Sequence, residues 1–155
     1  MLMTHKVFTD TYKGVAVDFD GHFGAQCVDL VRQYIQDVLG LPQPEGTGTK
    51  GAIEFFNGHG HRPMQNSRFD LVAYKPGMIP PRGAVVIFKP VPSNRFGHIA
   101  IVEEANEHSL VVFEQDGTAN SRALAENRPQ RGAFFGEWKY GRLAGWLLPK
   151  AGAGR

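Results

Sequence analysis

The stretch that decides the fold reads Asp18-Phe19-Asp20-Gly21-His22-Phe23-Gly24-Ala25-Gln26-Cys27-Val28-Asp29. It holds the only cysteine of the chain and leads into the clearest helical pattern. From Ala25 onward the apolar positions Cys27, Leu30, Val31, Tyr34, Ile35, Val38 and Leu39 recur at steps of three and four, the spacing of one helix face. Gly40 and Pro42 supply the stop. Cys27 thus falls in the first turn, where unpaired N–H groups and the helix dipole favour a negative charge, here a thiolate. A lone cysteine on an apolar stripe is most often a small core residue. Against that, Cys27 stands at the very end of the stripe, behind an approach rich in carboxylates and glycines. A nucleophile needs such an exposed helix start.

The same segment can be read as a cation loop. Counting Asp18 as position one, Asp20 is third, His22 fifth, Gly24 seventh and Asp29 twelfth, which echoes the oxygen-ligand spacing of an EF-hand. Phe23 stands at the sixth position where that pattern has glycine, and Asp29 at the twelfth where it has glutamate. Acidic turns of this kind are more often plain turns. His22 would serve through its backbone carbonyl, since calcium prefers oxygen.

Outward from this stretch the chain reads as one domain, residues 1–150, with 151–155 as a frayed tail or linker remnant. With 42% hydrophobic and 21% charged residues, its 155 residues suffice for a real core. The 19 glycines and 10 prolines imply many turns and favour α+β over a helical bundle. A net charge of +2 without a basic run argues against a nucleic-acid binder. A single cysteine excludes an internal disulfide and any CxxC site. No apolar run approaches membrane length and the N-terminus lacks a signal-peptide core, so neither membrane insertion nor export by its own signal is expected. A monomer is expected.

Residues 1–17 read as an entry segment, with Val15–Val17 a small strand, and Leu41–Lys50 as a loop. Gly51–Asn57 suggests a short helix. Gly58–Asn66 reads as a plain surface loop whose His59 and His61 lack a third metal ligand at useful spacing. Strands are predicted over Ala84–Phe88, Phe96–Val102, Leu110–Glu114, Ala133–Tyr140 and Gly145–Leu148.

If the strands around 98–102 and 110–114 pair antiparallel about Asn106, then Val102 faces Leu110, Ala100 faces Val112 and His98 faces Glu114. All six share one sheet face. Directly opposed Cβ atoms lie roughly 4.5–5.5 Å apart, within reach of an imidazole–carboxylate hydrogen bond. A one-residue slip would break the pairing. Singly, a histidine at a strand start and a glutamate at a strand end are most often idle. Together with a cysteine at a helix start they supply thiolate, base and orienting acid.

Gly24-Ala25-Gln26-Cys27-Val28-Asp29-Leu30, then Phe96-Gly97-His98-Ile99-Ala100-Ile101-Val102, then Phe113-Glu114-Gln115-Asp116-Gly117 resemble the CHAP family, the cysteine, histidine-dependent amidohydrolase/peptidases of phage endolysins and bacterial wall hydrolases. The resemblance runs in order from about Val15 to Pro149. It implies a papain-like α+β fold in which the cysteine helix packs on an antiparallel sheet, and peptidoglycan as the substrate, cut at an amide or peptide bond. It assigns Cys27 as nucleophile, His98 as general base and Glu114 as its orienting residue. Gln26 becomes a second oxyanion donor by analogy with papain-like enzymes. In staphylococcal-phage-type endolysins an asparagine two residues past the glutamate completes the site. Asp116 stands there and, when ionised, has no proton to donate. The resemblance also implies a structural calcium ion on Asp18, Asp20 and Asp29, with His22 and Gly24 at its other positions. It further implies synthesis in a host cytoplasm and action on the wall after holin-dependent release or from a virion. Two alternatives stand beside this reading. An NlpC/P60-type endopeptidase usually has its cysteine in an Asp-Cys-Ser-Gly context, which Gln26-Cys27-Val28-Asp29 does not match. The other is a non-catalytic, calcium-stabilised wall-binding module.

Overall fold

The computed structural model describes residues 1–152, so the expected tail at 151–155 lies largely outside the described residues. Six antiparallel strands form one sheet in the order β1-β6-β2-β3-β4-β5, where β1 is Phe69–Ala73, β2 Val85–Phe88, β3 His98–Ala105, β4 Ser109–Glu114, β5 Phe134–Lys139 and β6 Leu143–Pro149. Alternation along the strands sends two sets of apolar side chains to opposite faces. Val85, Ile87, Ile99, Ile101, Phe113 and Leu147 pack with helical residues; Val86, Phe88, Ala100, Val102, Val112 and Trp146 form a second cluster.

The first face is covered by α2, Cys27–Tyr34, whose Leu30, Val31 and Tyr34 are buried against it. The expected single helix to Leu39 changes its winding at Ile35–Leu39, which forms a π turn and ends at Gly40 with φ 63°. The left-handed C-terminal residue is what glycine supplies there. The fold is therefore α+β and papain-like, with the cysteine helix on an antiparallel sheet.

Three local expectations need correction. Residues 1–17 are not a bare entry segment: His5–Tyr12 form α1, capped by the Thr4 hydroxyl, which accepts from the Val7 N–H at 3.2 Å. Its apolar pattern is thin because it buries one large side chain, Phe8, at its middle. Val15–Val17 is no strand. The chain there meets Ala133 through one bridge, with Gly14 N–H on the Ala133 carbonyl at 2.8 Å and the Ala133 N–H on Val15 at 2.9 Å. Gly58–Asn66 is not a plain loop either. It comprises a 3₁₀ turn over His59–His61 and the start of α4, Pro63–Arg68, with proline in the first turn where its missing N–H costs nothing. The short helix expected at Gly51–Asn57 is present as α3, Glu54–Asn57.

The hairpin register also differs. Val102 pairs with Val112 and Ile101 with Phe113, two residues away from the expected pairing. The turn is centred beyond Asn106, whose N–H donates to the Ser109 carbonyl at 2.9 Å, and a bulge at Glu103 takes up one extra residue of β3. An offset of two keeps every side chain on its face. Ala100 comes level with Glu114, and His98 lies on the diagonal, still within reach of a long side chain.

Candidate active site

Cys27 is half-buried at the first helical position of α2, so its N–H has no partner within the helix. The approach to it is held by three side-chain amides from the far end of the chain. Gln115, fully buried, accepts from the Val17 N–H at 2.7 Å and donates to the carbonyls of Val17 and Gln26 at 2.9 and 2.8 Å. Asn120, also buried, donates to the Ala25 carbonyl at 2.8 Å, and Gln130 accepts from the Ala25 N–H at 2.6 Å. Buried amides that satisfy backbone groups on a distant segment fix its position, since any displacement leaves polar atoms unpaired. Sequence reasoning missed all three. The signal was a run of amide residues in a segment otherwise suited to turns, and only the fold gives it meaning. Gly117, first residue of α5 (Gly117–Ala125), lies so close that a β-carbon would stand 3.2 Å from the Gln26 Cα.

At the start of β3, His98 Nε2 and Glu114 Oε1 are 2.7 Å apart, both groups buried. Nδ1 remains for the thiol of Cys27, whose interaction with the ring helps to raise the pKa of His98. Burial alone would lower the pKa of this imidazole. The hydrogen bonds to Cys27 and Glu114, and the charges of both, outweigh it and hold His98 at about 9, above its ordinary 6.5. His98 is therefore an imidazolium at neutral pH, between two groups that stabilise its charge. The ring stacks on Trp138 and Phe88, with centroids 5.2 and 5.9 Å away. The indole N–H of Trp138 donates to Glu114 Oε2 at 3.0 Å. Trp138 is a fourth residue that the sequence reading did not single out.

Before the helix, one carboxylate oxygen each of Asp18, Asp20 and Asp29 come within 4.8 Å of one another. Asp18 and Asp20 are exposed; each uses Oδ1 locally, on the N–H groups of Gly21 at 3.0 Å and His22 at 2.9 Å. Asp29 is buried and caps α2 through Oδ2 on the Gln26 N–H at 2.9 Å. Burial first, then the charges of Asp20 and Asp18, raise Asp29 to about 6. Phe23 takes φ 64°, so the sixth position has the left-handed conformation that the loop pattern fills with glycine. Its carbonyl accepts from the Ser121 hydroxyl at 2.8 Å. Gly24 (φ 78°) packs beneath Gln130, and the exposed His22 imidazole is not part of the carboxylate cluster.

Gln26 is the N-cap of α2, beside the nucleophile position. Asp116 is the exposed N-cap of α5, where its Oδ1 accepts from the Ala119 N–H at 3.0 Å. His59 and His61 stay apart from the site: His59 Nδ1 meets the Gln65 amide at 2.8 Å, and His61 is exposed.

Among solved structures, wild-type endolysin LysIME-EF1 has the same fold, with a TM-score of 0.61 at 19% identity over 96% of this chain and 65% of that chain. Ly7917, solved with the hydrolyzing product of MDP, gives 0.58 at 17% identity over 92% and 60%. Endolysin LysK of Staphylococcus phage K is 28% identical over 110 residues, which are 69% of this chain and 21% of that protein. The chain thus spans about a fifth of the length of that relative. Among the described residues no helix is long and apolar enough to cross a membrane. The CHAP domain family matches residues 17–116, more than half of the chain and all of the segment from the acidic turn to Asp116, and the chain belongs to that family.

Proposed function

We propose that this domain hydrolyses peptidoglycan at an amide or peptide bond, with Cys27 as nucleophile. The observation that carries the reading is the buried His98, bonded to Glu114 at 2.7 Å and favoured in its charged form by both Glu114 and the half-exposed thiol at the start of α2. Membership of the family and the likeness to endolysin LysK supply the substrate class.

The Cys27 thiolate, sustained by the imidazolium and the helix N-terminus, attacks a carbonyl carbon of the wall peptide. A sulfur–carbon bond forms and the carbonyl electron pair moves to oxygen. The free N–H of Cys27 is placed to receive that oxyanion, and the Gln26 side chain is the candidate second donor. When the intermediate collapses, the carbon–nitrogen bond breaks and His98 gives its proton to the leaving amine. The neutral ring then takes a proton from water as that water attacks the thioester, and the carboxylic acid product departs with the thiolate restored. Glu114 holds the ring in the tautomer that keeps Nδ1 toward sulfur and stabilises its charged form. Asp116, engaged on the Ala119 N–H, acts as a helix cap and takes no step.

The acidic turn fits calcium: three carboxylate oxygens converge, one of them raised by burial and then by the charges of its neighbours, and each exposed aspartate keeps a second oxygen outside the local turns. Asp18, Asp20 and Asp29 would hold the ion, with backbone carbonyls at His22 and Gly24 completing its shell. Bound there, it would neutralise the cluster and stiffen the turn that delivers Cys27.

The test is digestion of purified bacterial walls, with mass spectrometry of the released fragments. Wild type should expose new amines, a pulse of iodoacetamide should stop it, and the fragments identify the bond cut. Release of fragments undiminished by complete alkylation of the single thiol would overturn the mechanism.

A further inference from the structure

Glu114 has two carboxylate oxygens, and the proposed reaction uses one. Oε1 meets His98, while Oε2 accepts from the indole N–H of Trp138 at 3.0 Å. The same indole lies nearly parallel to the imidazole, 13° between planes at 5.2 Å, and against Phe88 at 4.2 Å. Trp138 reaches this place because it pairs with Leu110 across β4 and β5, and so shares a face with Val112 and Glu114. The residue between them on that face of β5 is Gly136. A β-carbon there would overlap Glu114 Oε2, so the bare backbone is what lets the carboxylate lie across β5 toward the indole. Glu114 is only 5% exposed, and water cannot readily replace a lost donor.

We infer that Trp138 is a positioning residue of the hydrolase. Its N–H fixes the Glu114 carboxylate, and its ring fixes the plane of the His98 imidazole, so that one nitrogen stays on the carboxylate and the other on sulfur. An apolar residue of similar size would fill the space and leave the carboxylate free to rotate. This inference rests on the roles proposed for Cys27 and His98.

Two readouts test it on the purified protein: wall hydrolysis, giving kcat and KM, and the pH dependence of Cys27 alkylation by iodoacetamide, which needs no wall substrate. Trp138→Phe keeps an aromatic face and removes the donor. It should lower kcat about 10- to 100-fold, the scale of one hydrogen bond to a charged group, with KM little changed. Both profiles should change together, because a carboxylate that has lost a donor no longer holds the imidazole in one orientation. Trp138→Leu, which removes the stacking surface as well, should lose more. Gly136→Ala leaves the indole in place but displaces Glu114, and should reproduce the Trp138→Phe profile. A Trp138→Phe protein that melts like wild type and keeps both its turnover and its alkylation profile would overturn the inference. Should that variant not fold, the same unchanged profile in Gly136→Ala would overturn it. Wall hydrolysis that survives Cys27→Ala would instead remove the catalytic reading, and the alkylation profile would still decide the geometry assigned to Trp138.

Discussion

The two charged regions that meet at Cys27 are built on opposite logic. In the hairpin, an imidazole and a carboxylate of opposite charge are buried together, and the carboxylate helps to hold the imidazole in its charged form. In the acidic turn, Asp18, Asp20 and Asp29 bring three like charges within 4.8 Å, and the buried one is pushed to about 6. The hairpin is complete with the atoms of the chain. The turn gathers like charges that the proposed calcium ion would neutralise. One region is thus expected to answer to mutation and pH, the other to metal.

The largest effect should come from breaking the pair that the hairpin presents to α2. Cys27→Ala and His98→Ala should each reduce wall hydrolysis by at least about a thousandfold, because nucleophile and proton carrier act as a unit. The melting temperature of Cys27→Ala should stay near that of wild type, since the side chain is half-buried and lost volume is small. Rates on purified walls and a thermal melt check both. Residual hydrolysis above a tenth of wild type in either variant contradicts the mechanism.

Glu114→Gln sharpens the comparison by keeping the shape and removing the charge. One amide oxygen cannot accept fully from both His98 and Trp138, so a loss of about 10- to 100-fold is expected. Glu114 is among the groups that raise His98 to about 9, so its neutralisation should move the alkaline limb of the rate profile downward. The sign for stability follows from the same shift. A histidine raised from 6.5 to about 9 contributes stability that is fully present below pH 6.5 and lost as pH rises through about 9. Wild type should therefore lose melting temperature over that range, and Glu114→Gln should lose less. A rate profile whose alkaline limb is the same in both proteins would detach Glu114 from the ring.

The acidic turn carries the same sign over a lower pH range. Asp29, raised from 3.8 to about 6, favours the metal-free fold below about pH 3.8, and that contribution is lost as pH rises through about 6. Calcium should consequently raise the melting temperature more at pH 7.5 than at pH 5. At a hundredfold excess over Kd the gain is about 2.7 kcal/mol, or roughly 5–10 °C for a domain of this size. Magnesium should do poorly, because it demands a tighter octahedral shell. EDTA should lower the melt and slow hydrolysis, and the double change Asp18→Ala with Asp20→Ala should abolish the response to added calcium. A melt indifferent to EDTA and calcium alike would leave the turn as a turn.

The contrast also explains what was legible in the sequence. Cys27, the stripe Leu30–Ile35 and the alternating strands 98–102 and 110–114 carry local periodicities, and local periodicity is what a single sequence displays. The His98–Glu114 contact was reached through a register two residues off, and survived because an even offset preserves the face. The bulge at Glu103 has no mark in the pattern. Helix α1 buries one large residue and so shows almost no stripe. Gln115, Asn120, Gln130 and Trp138 act across separations of 24 to 105 residues, on backbone or on a partner that only the closed sheet brings near. No spacing rule reaches that far.

Asp116 belongs to neither region, and the smallest expected effect is the one that shows it. Its carboxylate is spent on the Ala119 N–H at the start of α5, the helix whose Asn120 and Ser121 hold the carbonyls of Ala25 and Phe23. Loss of an N-cap costs about 1 kcal/mol, roughly 2–4 °C in a protein of this size. Asp116→Ala should therefore melt slightly lower. Because α5 braces the acidic turn, the same change should weaken calcium binding a few-fold while leaving the pH–rate profile at saturating calcium in place. Asn caps as well as Asp, so Asp116→Asn should match wild type in melting, calcium response and hydrolysis within about twofold. Titration of calcium by calorimetry and rate profiles of the two variants separate the possibilities. A drop of tenfold or more for Asp116→Asn at saturating calcium would show that the carboxylate works on the reaction itself, and the division between a hairpin that does chemistry and a turn that is merely braced would have to be redrawn to include α5.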